Sequence, residues 1–136
     1  MTSMIPEAPE MPQPCDEWED LHRAACAAGR WAAGDLMKRC SAWQLSREGQ
    51  ASVHIEPADS PVAAWLVQNR HATLTDAGTG VRQDFVLGSR HAEPRPPVAG
   101  EPASVLVSHA YAAAYCTVLA EEAGVTTTVH ITTSHQ

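Results

Sequence analysis

His22 and Cys26 stand four residues apart, with Cys15 before them and Cys40 beyond, so several metal-ligand types could converge on one helix. A structural zinc wants four ligands in a tetrahedron and normally takes them from tight knuckle pairs. The chain has no such pair, so its cysteines read as free thiols in a reducing compartment, with Cys26, Cys40 and Cys116 filling core positions. No metal and no cofactor is expected.

Nucleophilic chemistry can be assembled only on paper. Cys116 could be paired with His109 or His130, and Ser108 with His109 and Asp84. Such catalysis needs an activated, reachable nucleophile and a base oriented by a third group, and no local motif supplies them. Cys116 falls in an apolar helical run, where burial would raise its pKa and leave the thiol inert. Gly78-Thr-Gly80 is no phosphate loop, because the lysine is missing and the turn opens no helix. No catalytic residue is assigned.

The polar residues left to explain are Asn69, Arg70, Thr73, Thr75 and Asp76, at a change from helical to alternating periodicity, followed by the basic Arg82, Arg90 and His91. Side chains at such a corner can point together and bind, while Asn and Arg at a helix end can equally cap its carbonyls. These eight residues form the candidate binding set. Asp16, Glu17, Glu19 and Asp20 form a local acidic cluster, but at a helix N-terminus the dipole already favours one.

The elements that position the set can be read from period and punctuation. Ser60 before Pro61 starts a helix, with Val62, Trp65, Leu66 and Asn69 on one face. Residues 72–76 alternate as a strand, Ala77-Gly-Thr-Gly80 turns, and residues 81–87 alternate again, which predicts a hairpin. Upstream, Asp16 and Glu19 make a capping-box pair before a stripe of Trp18, Leu21, Ala25, Ala28 and Ala32. Gly34 reads as that helix's stop, residues 35–45 as a second helix presenting Leu36, Cys40 and Trp43, and residues 51–55 as a short edge strand. Downstream, residues 103–108 read as a buried strand, 110–123 as a helix stopped by Gly124, and 125–131 as a final strand. That last strand, helix and strand suggests a parallel crossover, with a split arrangement equally allowed.

At 136 residues with 44% apolar content, the chain fits one domain with one core, its four tryptophans carrying much of the bulky packing. Residues 1–15 hold four prolines and read as a disordered tail; 16–134 read as the domain, with a proline-rich loop at 88–102. A formal charge of −7 works against binding phosphate backbones, so nucleic acid is a poor partner. No run approaches a membrane span and no cationic-then-apolar leader is present, so the reading places the protein in the cytoplasm.

Arg30-Trp-Ala-Ala-Gly-Asp35, Leu66-Val-Gln-Asn-Arg-His-Ala-Thr-Leu-Thr75 and the strand-helix-Gly-Val-strand ending together resemble a family of small uncharacterised actinobacterial proteins. In that family a Trp-plus-Gly helix end precedes a Leu-x-x-Leu-Asn-Arg helix, a Thr-containing strand and a Ser-Gln-Pro-Gly turn; here the turn is Asp76-Ala-Gly-Thr-Gly80. The resemblance implies the order of elements over residues 18–130 and a bacterial or phage origin, and carries no activity.

The sequence therefore predicts an α+β domain: an N-terminal helical pair packed on a small mixed sheet of four or five strands, with two covering helices. The function expected is a non-enzymatic binding or interaction protein whose partner is another protein. The alternative is a small enzyme or ligand-binding domain with its pocket at the Asn69-Arg70 corner. Oligomeric state is left open.

Overall fold

Gly34 does not end the first helix. In the computed structural model, which describes residues 14–94 and 102–133, α1 runs without a break over Pro14–Arg39. Its start at Pro14 takes two residues from the expected tail and puts Asp16 inside the helix; residues 1–13 lie outside the described residues, as does 95–101 of the expected loop. Glycine inside a helix costs about 1 kcal/mol against alanine. Tertiary packing offsets that, because α1 lies along a later helix, α4 (Val105–Ala123), and buries Ala25, Gly29 and Ala33 at four-residue spacing. The expected second helix shrinks to α2 (Ala42–Leu45), started by a capping box in which Ser41 Oγ accepts from Gln44 N–H at 3.2 Å and Gln44 Oε1 accepts from Ser41 N–H at 2.8 Å.

The rest follows as β1 (Gly49–Glu56), α3 (Pro61–Gln68), β2 (Thr73–Leu74), β3 (Val81–Phe85), α4 and β4 (Thr126–Thr133). The fold is α+β. Its sheet has the order β2-β3-β1-β4, and every neighbouring pair is antiparallel, so the expectation of a mixed sheet is corrected. The connection is the split βαβ arrangement, in which β3 and β4 flank β1 instead of pairing with each other. β1 is central, where the sequence reading had put an edge.

Residues 103–108 supply no fifth strand. A short apolar run reads equally well as strand or buried helix, and here Ser104 decides it: its Oγ accepts from Val107 N–H at 3.3 Å and starts α4. Only the isolated bridges Gly88↔Ala103 and Glu48↔Ser104 remain of the expected pairing. The hairpin expectation holds, with Thr73 opposite Arg82 and Leu74 opposite Val81.

The core lies between one face of the sheet and the helices. Ala51, Val53 and Ile55 of β1 and Val81 and Phe85 of β3 are buried with Val62 and Leu66 of α3 and Val107, Tyr111, Tyr115 and Leu119 of α4. The two tyrosines are the largest fully buried side chains, and Phe85 packs on both, with ring centroids 5.2 and 5.0 Å away. Tryptophan plays a smaller part than expected: Trp65 is buried, but Trp31 is 73% and Trp43 is 83% exposed. A Trp43 packing face is thereby corrected; α2 is one turn long and turns that side chain outward.

Candidate functional site

Alternation along the strands sends the second set of side chains to the outer face of the sheet. Register places Thr73, Arg82, His54 and Thr128 side by side in one row across all four strands. The next row is Asp84, Ser52 and His130. Arg82 Nε donates to Asp84 Oδ1 at 2.8 Å between these rows, and the His54 and His130 rings meet at 4.3 Å between centroids. Partial burial, then the neighbouring His130 and Arg82, holds His54 below its ordinary pKa, with Asp84 and Glu56 acting the other way.

At the β2 end of this face the 75–79 turn walls a recess of about 470 Å³ lined by Thr73, Leu74, Thr75, Asp76, Ala77, Thr79, His54, Glu56 and Arg82. The turn is tied by Gly78 N–H donating to Thr75 O at 2.9 Å and by Thr75 N–H donating to Gly80 O at 3.0 Å. Gly78 has φ +77°, which a side chain resists. Thr75 Oγ1 is buried without a hydrogen-bond partner among the described residues. Leu74, at the short edge, is 61% exposed.

Thr73, Thr75, Asp76 and Arg82 are thus brought together. Asn69 is not with them. Its Nδ2 donates to Trp65 O at 2.9 Å, capping α3, and Arg70 follows with φ 66°, the left-handed geometry of a helix C-terminus. His71 N–H then donates to Leu66 O at 2.8 Å. Arg70, Arg90 and His91 are exposed and line neither this recess nor the one beside Asn69.

Asn69 lines a second recess of about 370 Å³ with Glu19, His22, Arg23, Trp65 and His71. The His22 and His71 rings stack at 4.2 Å and Trp65 stacks on His71 at 5.5 Å. Behind them His22 Nδ1 is hydrogen bonded to Tyr115 Oη at 2.7 Å, and His22 Nε2 lies 3.6 Å from Cys26 Sγ. The order thiol, imidazole, phenol resembles a nucleophile, base and orienting group, but the electrostatics are wrong for activation. Burial, helped by His71, pushes the His22 pKa down to about 4, so the ring is a weak base at neutral pH. Both ring nitrogens are occupied by partners a neutral imidazole satisfies. The group is a clamp joining α1, the α3–β2 corner and α4. Sequence reasoning found the His22 and Cys26 pair but missed Tyr115, 93 residues from His22, because no local signal links them.

The other nucleophile candidates are also committed elsewhere. Ser108 is fully buried, and its Oγ accepts from Leu87 N–H at 3.0 Å. Burial raises the Cys116 pKa, with Thr127 acting weakly against it. Among the described residues no three His, Cys, Asp or Glu side chains converge as a metal site, and no helix is long and apolar enough to cross a membrane. Compared with protein-family models, curated proteins and solved structures, the chain matches none of them.

Proposed function

We propose that this chain is a non-catalytic binding protein of a bacterium or its phage that meets a protein partner on the outer face of its sheet, at the β2–β3 corner. The observation that carries the reading is the row Thr73, Arg82, His54 and Thr128, which ends in the recess under the 75–79 turn. Arg82 is the anchor on the outer face beside a ready cavity, and Leu74, paired with Val81 and so on the other side of the short edge strand but 61% exposed, adds an apolar rim to the same recess. Asp76, Glu56 and Asp84 around them favour a partner with mixed charge over a phosphate backbone.

The test is affinity capture from a bacterial lysate with the wild-type chain and with a Leu74→Lys, Arg82→Glu variant, followed by direct binding to the captured protein. Both positions are exposed and the Arg82–Asp84 pair is a surface pair of small worth, so the variant should fold. Binding lost in the variant supports the surface; a partner held equally by both proteins removes it.

The second reading, a small enzyme or ligand-binding domain at the Asn69-Arg70 corner, has one observation in its favour, the 370 Å³ recess floored by Trp65, His22 and His71. A small aromatic ligand that shifted the His22 and His71 ring resonances would favour it.

A further inference from the structure

The fold brings two pairs of histidine rings together, and the pairs differ in what their nitrogens do. In the pair formed by His22 and His71, both nitrogens of His22 are engaged, Nδ1 with Tyr115 Oη at 2.7 Å and Nε2 with Cys26 Sγ at 3.6 Å. On the outer face of the sheet, His54 of β1 and His130 of β4 meet diagonally across the ladder, since His54 stands opposite Thr128 and His130 opposite Ser52. Their ring centroids are 4.3 Å apart, and among the described residues neither ring is hydrogen bonded to the protein. One continuous antiparallel ladder holds them there, His54 half-buried and His130 exposed. A neutral imidazole keeps one nitrogen as an acceptor, so this pair offers two uncommitted lone pairs on an open face.

We propose that His54 and His130 chelate one divalent transition-metal ion of the nickel(II) or copper(II) type, each through one ring nitrogen. The spacing of the rings selects this ligand. With a metal–nitrogen bond of about 2.0–2.1 Å the metal sits roughly 3.2 Å from each ring centroid, so ligands at right angles hold their centroids roughly 4.5 Å apart and tetrahedral ones about 5.2 Å. The 4.3 Å between His54 and His130 matches the right angle of a tetragonal or octahedral ion, and imidazole is a ligand such ions favour. Small turns of the two rings, unrestrained by hydrogen bonds, bring their nitrogens onto the metal. The surrounding charge permits a cation. Arg82 is paired with Asp84 at 2.8 Å, and Glu56, two residues along β1 from His54 on the same face, leaves these three groups with a net negative charge. Among the described residues no third His, Cys, Asp or Glu converges on the pair, so water fills the other positions and binding is reversible. Magnesium, which demands oxygen ligands, does not fit. The site shares the outer face with the protein contact proposed above but does not depend on it.

Titration of the untagged, metal-free full chain with nickel chloride, followed by nuclear magnetic resonance, tests this; nickel is chosen over copper to spare the free thiols. Saturable binding of one ion should broaden the amide signals of residues 52–56 and 128–132, and magnesium chloride at the same low-micromolar to near-millimolar concentrations should leave them unchanged. His54→Gln and His130→Gln, each on the outer face and checked for fold by circular dichroism, should each weaken nickel binding by about tenfold or more. A chelate loses its affinity when either ring goes, whereas two independent imidazoles would each keep a weak site of their own. The absence of saturable binding, an affinity kept by either variant, or broadening centred on other residues such as His22 and His71 would each overturn the proposal.

Discussion

A Cβ placed on Gly29 would fall 2.8 Å from three ring carbons of Tyr111, so at this point α1 meets α4 with no side chain of its own against a large one. Gly34, five residues further along α1, has nothing within 4 Å of the same position. The two glycines should therefore respond to alanine with opposite signs. Gly29→Ala must displace a fully buried ring and should destabilise by about 1–3 kcal/mol despite alanine's better helix propensity. Gly34→Ala meets open space in a helix interior and should stabilise by up to about 1 kcal/mol. Urea denaturation of the two variants measures both, and a stabilising Gly29→Ala would show that the helices are not held at this contact.

The His22 clamp predicts a pH dependence of stability. The ring's pKa is 6.5 when unperturbed and about 4 in the fold. Between these values the unfolded chain binds a proton that the folded chain does not, so stability rises with pH across the window. The contribution is fully present above about pH 6.5 and is lost as pH falls through about 4. Because part of the ring reaches the recess and its charge would be screened there, the effect should be about 1–2 kcal/mol, below what the full shift converts to. Denaturation from pH 7.5 to 4 should show a shallower slope for His22→Gln than for wild type; identical slopes would assign the dependence to other groups.

The elements readable in the sequence are those whose cause is local. Ser60 with Pro61 starts α3 as expected, its Oγ accepting from Ala63 N–H at 3.3 Å, and Gly124 ends α4 with φ 70°. The β2–β3 hairpin follows from alternation broken by glycines, and it brings Thr73, Thr75, Asp76 and Arg82 to one recess. What could not be read depends on distant partners. Gly34 looks like a stop until α4 supplies a packing surface for the whole of α1, and β1 looks like an edge until β3 and β4 take its two sides. Asn69 is near the recess residues in sequence yet lies in the other cavity, because the left-handed turn at Arg70 redirects the chain between them.

Ser108 ties two elements together through one small atom. Its Oγ accepts from Leu87 N–H at 3.0 Å and lies 3.5 Å from Leu87 O, which also accepts from Ser104 N–H at 2.7 Å. This hydroxyl therefore ties the chain leaving β3 to the first turn of α4, in the place where the sequence had suggested a strand. Ser108→Ala leaves a buried backbone donor unpaired and should cost about 1–3 kcal/mol. Ser108→Cys keeps a weak donor and acceptor of similar size and should lose less. Thermal unfolding of the two variants orders them, and faster exchange of the Leu87 amide in the alanine variant would locate the loss at this bond. Equal stability of Ser108→Ala and wild type would mean that the Leu87 amide finds another partner and that the Ser104 N–H bond to Leu87 O and apolar packing suffice to hold α4 to the end of β3.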